Sequence, residues 1–177
     1  LVRSRGLGDV YKRQEVMRPA VPQRKGEHGI IVEGLSNCLV KFSKCCSPVP
    51  GDDIVGFITR GYGVSVHRAD CPNVLRSRDN PAEAGRWIRV SWADKTSEEY
   101  HTMLQVVAKD RISLIVDVST VLSATKTRVL SLNARSTPDG FALLDLGISV
   151  SGREQLKTVT SRLEQIQGVM KVTRPAG

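Results

Sequence analysis

The chain has 177 residues, 40% hydrophobic and 25% charged, the make-up of a soluble globular protein with room for one good core or two small ones. Aromatic residues are only 5%, too few for the stacking platforms that carry single-stranded nucleic acid. No apolar run is long enough for a bilayer and no charged-then-apolar leader is seen, so the expected location is cytoplasmic, away from membranes. The net charge of +8 is spread thinly; it suits contact with nucleic acid without demanding it, and a solvated surface of mixed sign fits equally well.

Leu1–Gln14 has no apolar period and resembles the translated read-through of a sequencing adapter, so it is set aside from fold reasoning. Residues 15–28, with Pro19, Pro22 and Gly26, read as a linker; the true N-terminus of the protein is expected upstream. A first, β-rich unit is expected over 29–92. It has short strands at Ile30–Val32 and Leu39–Phe42, then a rigid turn at Pro48-Val49-Pro50-Gly51-Asp52. Ile54–Thr59 and Val64–His67 flank the turn Arg60-Gly61-Tyr62-Gly63, a hairpin signature, and Trp87–Trp92 suggests one more strand.

Residues 93–99 are polar and read as a linker. From Tyr100 the pattern sharpens: a strand to Ala108, Asp110 as a helix cap, then Leu114, Ile115, Val118, Val121 and Leu122 at helical spacing. Arg128–Arg135 alternates, Thr137-Pro138-Asp139-Gly140 is a turn, and Ala142, Leu144, Leu146, Ile148 and Val150 alternate along the next strand. Ser151-x-x-Glu154 has the form of a capping box, Leu156, Val159, Leu163 and Ile166 line one helix face, and Gly168 precedes a closing strand to Arg174. The order over 100–175 is β-α-β-β-α-β, the ferredoxin-like arrangement, and the whole chain is α+β.

Asp110-Arg111-Ile112-Ser113-Leu114 resembles the D-R-x-G-L segment of ACT domains, small regulatory modules of this fold, with serine in place of the usual glycine. The first unit carries C-C-x-P-x-P-G-D from Cys45 to Asp52 and G-x-G-V-x-V-H-R-x-D-C-P from Gly61 to Pro72. These two stretches closely resemble the zinc-finger-like domain of long RelA/SpoT (p)ppGpp synthetase/hydrolases, which in that family precedes an ACT domain. The resemblance covers about residues 29–175.

It implies a non-catalytic regulatory fragment of a stringent-response enzyme, a GTP pyrophosphokinase by family. Such a region docks on the ribosome, at rRNA and A-site tRNA, and controls synthesis against hydrolysis through the enzyme's own catalytic domains. Lys41, Lys44, Arg60, Arg68 and, for stacking, Tyr62 are the expected RNA contacts. The alternative is an ACT-type dimerisation module sensing a branched-chain amino acid near Asp110, Ser113, Leu114 and Asn133.

Cys45, Cys46, His67 and Cys71 are the ligand set implied for a structural zinc, and soft thiolates with one imidazole suit that ion. Adjacent residues of an extended strand point oppositely, so Cys45 and Cys46 share an ion only from irregular backbone. A packed, metal-free thiol–imidazole cluster is the other reading, and Cys38 falls outside the pattern. No catalytic residues are expected: the sequence carries no phosphate-binding Walker loop, adjacent His-Asp hydrolase pair or nucleophile elbow.

Overall fold

A computed structural model describes residues 27–61, 63–94 and 97–175. The adapter-like segment, most of the first linker and Tyr62 lie outside them. After a short 3-10 turn (Glu27–Gly29), the first unit comprises β1 (Ile30–Val32), β2 (Leu39–Phe42), β3 (Ile54–Ile58), β4 (Gly63–Arg68), α1 (Pro72–Arg78), β5 (Trp87–Ile88) and β6 (Val90–Trp92). The second comprises β7 (Tyr100–Lys109), α2 (Leu114–Ala124), β8 (Arg128–Ser136), β9 (Phe141–Val150), α3 (Arg153–Glu164) and β10 (Val169–Thr173).

In the first unit β3 and β4 form the expected antiparallel hairpin, within a sheet ordered β2-β4-β3-β5. β2 lies parallel to β4, with Val40 opposite Val64. One face supplies Val40, Val64 and Val66, which pack with Ile30 and Val90 into a small core. The expectation of one strand over Trp87–Trp92 is corrected: β5 pairs with β3, whereas β6 crosses to β1 as a separate two-stranded ribbon. The helix α1 was absent from the expectation, because seven residues with one buried side chain, Val74, give no readable period.

The second unit has the expected β-α-β-β-α-β order, its sheet running β10-β7-β9-β8 with antiparallel neighbours. The alternating residues of β9 are buried from Ala142 to Val150, and Leu114, Val118 and Leu122 of α2 join Leu156, Val159 and Leu163 of α3 over them. Two caps differ from expectation. Asp110 does not cap α2; its carboxylate accepts from the Ser136 hydroxyl, and Ser113 holds the N-cap position at φ +68°. At α3, Gln155 rather than Glu154 reaches back, accepting from the Ser151 N–H and hydroxyl, and Gly152 is the N-cap.

The Pro48–Asp52 turn joins the units. Val49 is fully buried and belongs to the core of the second unit. The Arg174 guanidinium, just past β10, makes a two-pronged ion pair with the Asp52 carboxylate, 2.9 Å on each prong. Beside it, Phe42, Trp92 and Tyr100 pack ring against ring at 5.5–5.7 Å, and the Trp92 indole N–H donates to the Asp52 carbonyl. Aromatic pairs at this spacing add about 0.5–1.5 kcal/mol each beyond their buried area. Among the described residues, no helix is long and apolar enough to cross a membrane.

Candidate metal centre

Four side chains separated in sequence converge at one end of the β3–β4 hairpin. Cys45 and Cys46 lie in the turn after β2, His67 is near the end of β4, and Cys71 is the N-cap of α1, whose first helical residue is Pro72. The turn overcomes the extended-strand objection. The Ser47 N–H donates to the Ser43 carbonyl at 2.9 Å and Ser47 takes φ +43°, so the chain coils and both thiols face inward.

Cys45 Sγ lies 3.8 Å from Cys46 Sγ, 3.5 Å from Cys71 Sγ and 3.4 Å from His67 Nδ1. Cys46 Sγ is 3.8 Å from the same nitrogen, and all four donor atoms fall within 4.8 Å of one another. A tetrahedral ion with bonds of about 2.0–2.3 Å places its ligand atoms roughly 3.5–3.8 Å apart. The cluster therefore fits a Zn²⁺-sized ion with little rearrangement. Four protein donors leave no open position, so the ion would be structural.

The surroundings suit this reading. The Ser43 hydroxyl contacts Cys45 Sγ at 3.0 Å, the Arg68 N–H donates to Cys46 Sγ at 3.3 Å, and the Ser65 hydroxyl meets His67 Nε2 at 3.4 Å. Outer partners of this kind orient ligands and tune the ion they hold. Burial pushes the Cys46 thiol up to about 12 and pushes the His67 imidazole below its ordinary value. Burial also opposes ionisation of Cys45, but hydrogen bonds from Ser43, Asn73, Cys71 and Cys46 outweigh it and hold that thiol below its usual range. Cys38 stands apart, half-buried against the first core.

The remaining candidates are dispersed. Lys41, Lys44 and Arg60 are exposed. Arg68 is not presented for a phosphate: its Nε and Nη2 hold the Asp70 carboxylate at 3.0 and 2.7 Å, and its Nη1 is buried. The Arg68 hydrogen bond, in turn, keeps the Asp70 carboxyl below its ordinary range. Among the amino-acid contacts, Leu114 is a core residue, while Asp110, Ser113 and Asn133 are exposed. Asp110 bonds Ser136, the last residue of β8, and Asn133 lies three positions before it, about 10 Å away at the usual strand rise. A cavity of about 480 Å³ opens elsewhere, between α3, Arg174 and the first unit's Asp52, Asp53, Arg68 and Asp70. Sequence reading passed over this charged seam, because its groups become neighbours only when the units dock.

A thiol–imidazole centre on a small β-rich unit, followed by a ferredoxin-like unit, defines a two-domain α+β protein. Residues 30–93 match the RelA/SpoT RIS domain family and residues 96–174 the ACT domain family. The chain is 36% identical, over 88% of its length, to the GTP pyrophosphokinase of Escherichia coli K12. It is also 36% identical, again over 88% of its length, to the bifunctional (p)ppGpp synthase/hydrolase RelA of Mycobacterium tuberculosis. It spans about 21% of each relative's length. The crystal structure of the ACT domain from the Chlorobium tepidum GTP pyrophosphokinase is 23% identical, with a TM-score of 0.40, covering 44% of this chain and 99% of that one. The chain is thus a RIS–ACT region of the RelA/SpoT family, corresponding to the C-terminal part of its long members.

Proposed function

We propose that this chain is the non-catalytic regulatory region of a stringent-response enzyme, docking it to the ribosome and setting (p)ppGpp synthesis against hydrolysis. The observation that carries the reading is the preformed Cys3His centre, which gives a fixed shape to a small domain whose exposed cations are Lys44, next to Cys45, Lys41 on β2 and Arg60 at the far end of the hairpin. A zinc there would hold the turn and the hairpin together, and the cations would contact RNA phosphates. The likeness to GTP pyrophosphokinases supports the choice of pathway.

Co-sedimentation of the chain with ribosomes tests the proposal, using a Lys41→Glu/Lys44→Glu/Arg60→Glu variant. Weakened binding, with a shallower dependence on salt, is expected. Equal binding at matched salt would remove RNA docking.

The second reading, self-association with amino-acid sensing, is favoured by β8. All nine of its residues are exposed on an open sheet edge, including Val129, Leu130 and Leu132. Such an edge is a template for pairing with a second copy. Sedimentation equilibrium with and without valine or isoleucine would detect it.

A further inference from the structure

We infer that Arg174, a residue of the ACT unit, is a positioning residue for the metal centre of the RIS unit, so that metal binding and domain docking strengthen one another. The inference rests on the metal reading proposed above. Its basis is a short chain of contacts. Arg174 Nη2 donates to the Ser47 carbonyl at 2.9 Å, and Ser47 directly follows Cys45 and Cys46. Ser47 is a non-glycine residue in the left-handed region, a conformation that persists only where the surroundings hold it.

Two hydrogen bonds hold it: its N–H to Ser43 and its carbonyl to Arg174. The same guanidinium grips the Asp52 carboxylate at the far end of the turn, and that carboxylate also accepts from the Val49 N–H at 2.9 Å. One side chain from the second unit therefore fixes both ends of the Ser47–Asp52 segment, which directly follows two of the four donors. Asp52 is 7% exposed and Arg174 16%, so neither end of the pair is readily replaced by water. With Arg174 withdrawn, Ser47 loses one of its two restraints, and Cys45 and Cys46 can swing apart.

Coupling between two events is reciprocal. An undocked ACT unit lowers the affinity of the centre for Zn²⁺, and a filled centre tightens the docking of the ACT unit. Anything that draws the ACT unit away would then loosen the metal.

The test uses the full chain, reduced, with Zn²⁺ and Co²⁺ as probes. Zinc affinity is measured by competition with a chromophoric chelator for the wild type, Arg174→Gln and Asp52→Asn. Variants that weaken zinc about 10–100-fold, as loss of outer-shell partners does, while retaining the wild-type Co²⁺–thiolate absorption, support the inference. They would show the same ligands in a looser frame.

A second measurement needs no variant: hydrogen exchange of the wild type with and without zinc, read at the Arg153 amide, which bonds Pro50 across the seam. Slower exchange with zinc is expected. Wild-type zinc affinity in both variants, with unchanged exchange at Arg153, overturns the coupling alone. A wild type that takes up no zinc overturns the metal reading and the coupling together.

Discussion

The backbone N–H of Arg153, in the first turn of α3, donates to the carbonyl oxygen of Pro50 at 2.7 Å. An ACT-unit helix is thus completed by a carbonyl from the RIS unit. Helix starts leave N–H groups unsatisfied, and here a neighbouring turn supplies what a local side chain often does. The two units are therefore expected to unfold as one.

Val49→Ala tests this directly. Val49 is fully buried among second-unit residues although it is covalently part of the first. Removing two methyl groups from a closed core is expected to cost about 2 kcal/mol. In urea unfolding, the circular dichroism midpoint should fall in a single transition shared by both units. A loss confined to one of two separate transitions would contradict joint folding.

Gly51 gives a sharper case. Its φ is +99°, and a methyl group there would sit 2.8 Å from Arg153 Cβ. Gly51→Ala combines backbone strain with a collision against the helix start, at a cost of about 2–3 kcal/mol. The thermal midpoint should drop accordingly; an unchanged midpoint would mean that the seam is slack.

Ser113 offers the reverse. It occupies the position where the resembling ACT motif has glycine, and its φ of +68° shows why glycine suits that place. Ser113→Gly relieves left-handed strain of about 1–2 kcal/mol, offset by about 0.4–1 kcal/mol of extra freedom in the unfolded chain. A net gain of roughly 0.5–1 kcal/mol in urea stability is expected. A loss would mean that the serine side chain contributes more than its strain costs.

Metal analysis of the reduced chain should find about one zinc per molecule. Cys45→Ser and His67→Ala are each expected to abolish it, whereas Cys38→Ser, outside the cluster, should leave it intact. Chelation should lower the thermal midpoint, because binding to the folded state alone stabilises it. Equal midpoints with and without chelator would leave a packed, metal-free cluster.

The parts of the fold readable in sequence were those written in periodicity or turn chemistry. The alternation from Ala142 to Val150 and the 3-4-3 spacing from Leu156 to Ile166 each report a buried face, and Gly61 and Gly63 frame a real hairpin. The four metal-centre residues were legible as soft donors gathered by a hairpin and as positions matching the family motif, but the backbone that lets adjacent cysteines share an ion shows only with the left-handed Ser47. The strand break between Ile88 and Val90 left no mark, because both halves are apolar and only pairing partners distinguish them. Arg68 read as an RNA contact because no local pattern marks its ion pair with Asp70, two positions on. The pairing of Asp52 with Arg174 spans 122 positions, and no local pattern announces it.

The two tryptophans fall at different places in this architecture. Trp87 lies 6.1 Å from the His67 ring, next to the thiol centre, and Trp92 stacks on Phe42 with its indole N–H on Asp52, at the seam. The protein thus carries an intrinsic optical reporter for each event. Emission from a Trp92→Phe variant would follow occupancy of the centre, and emission from a Trp87→Phe variant would follow separation of the units, so the order of loading and docking can be timed without a label.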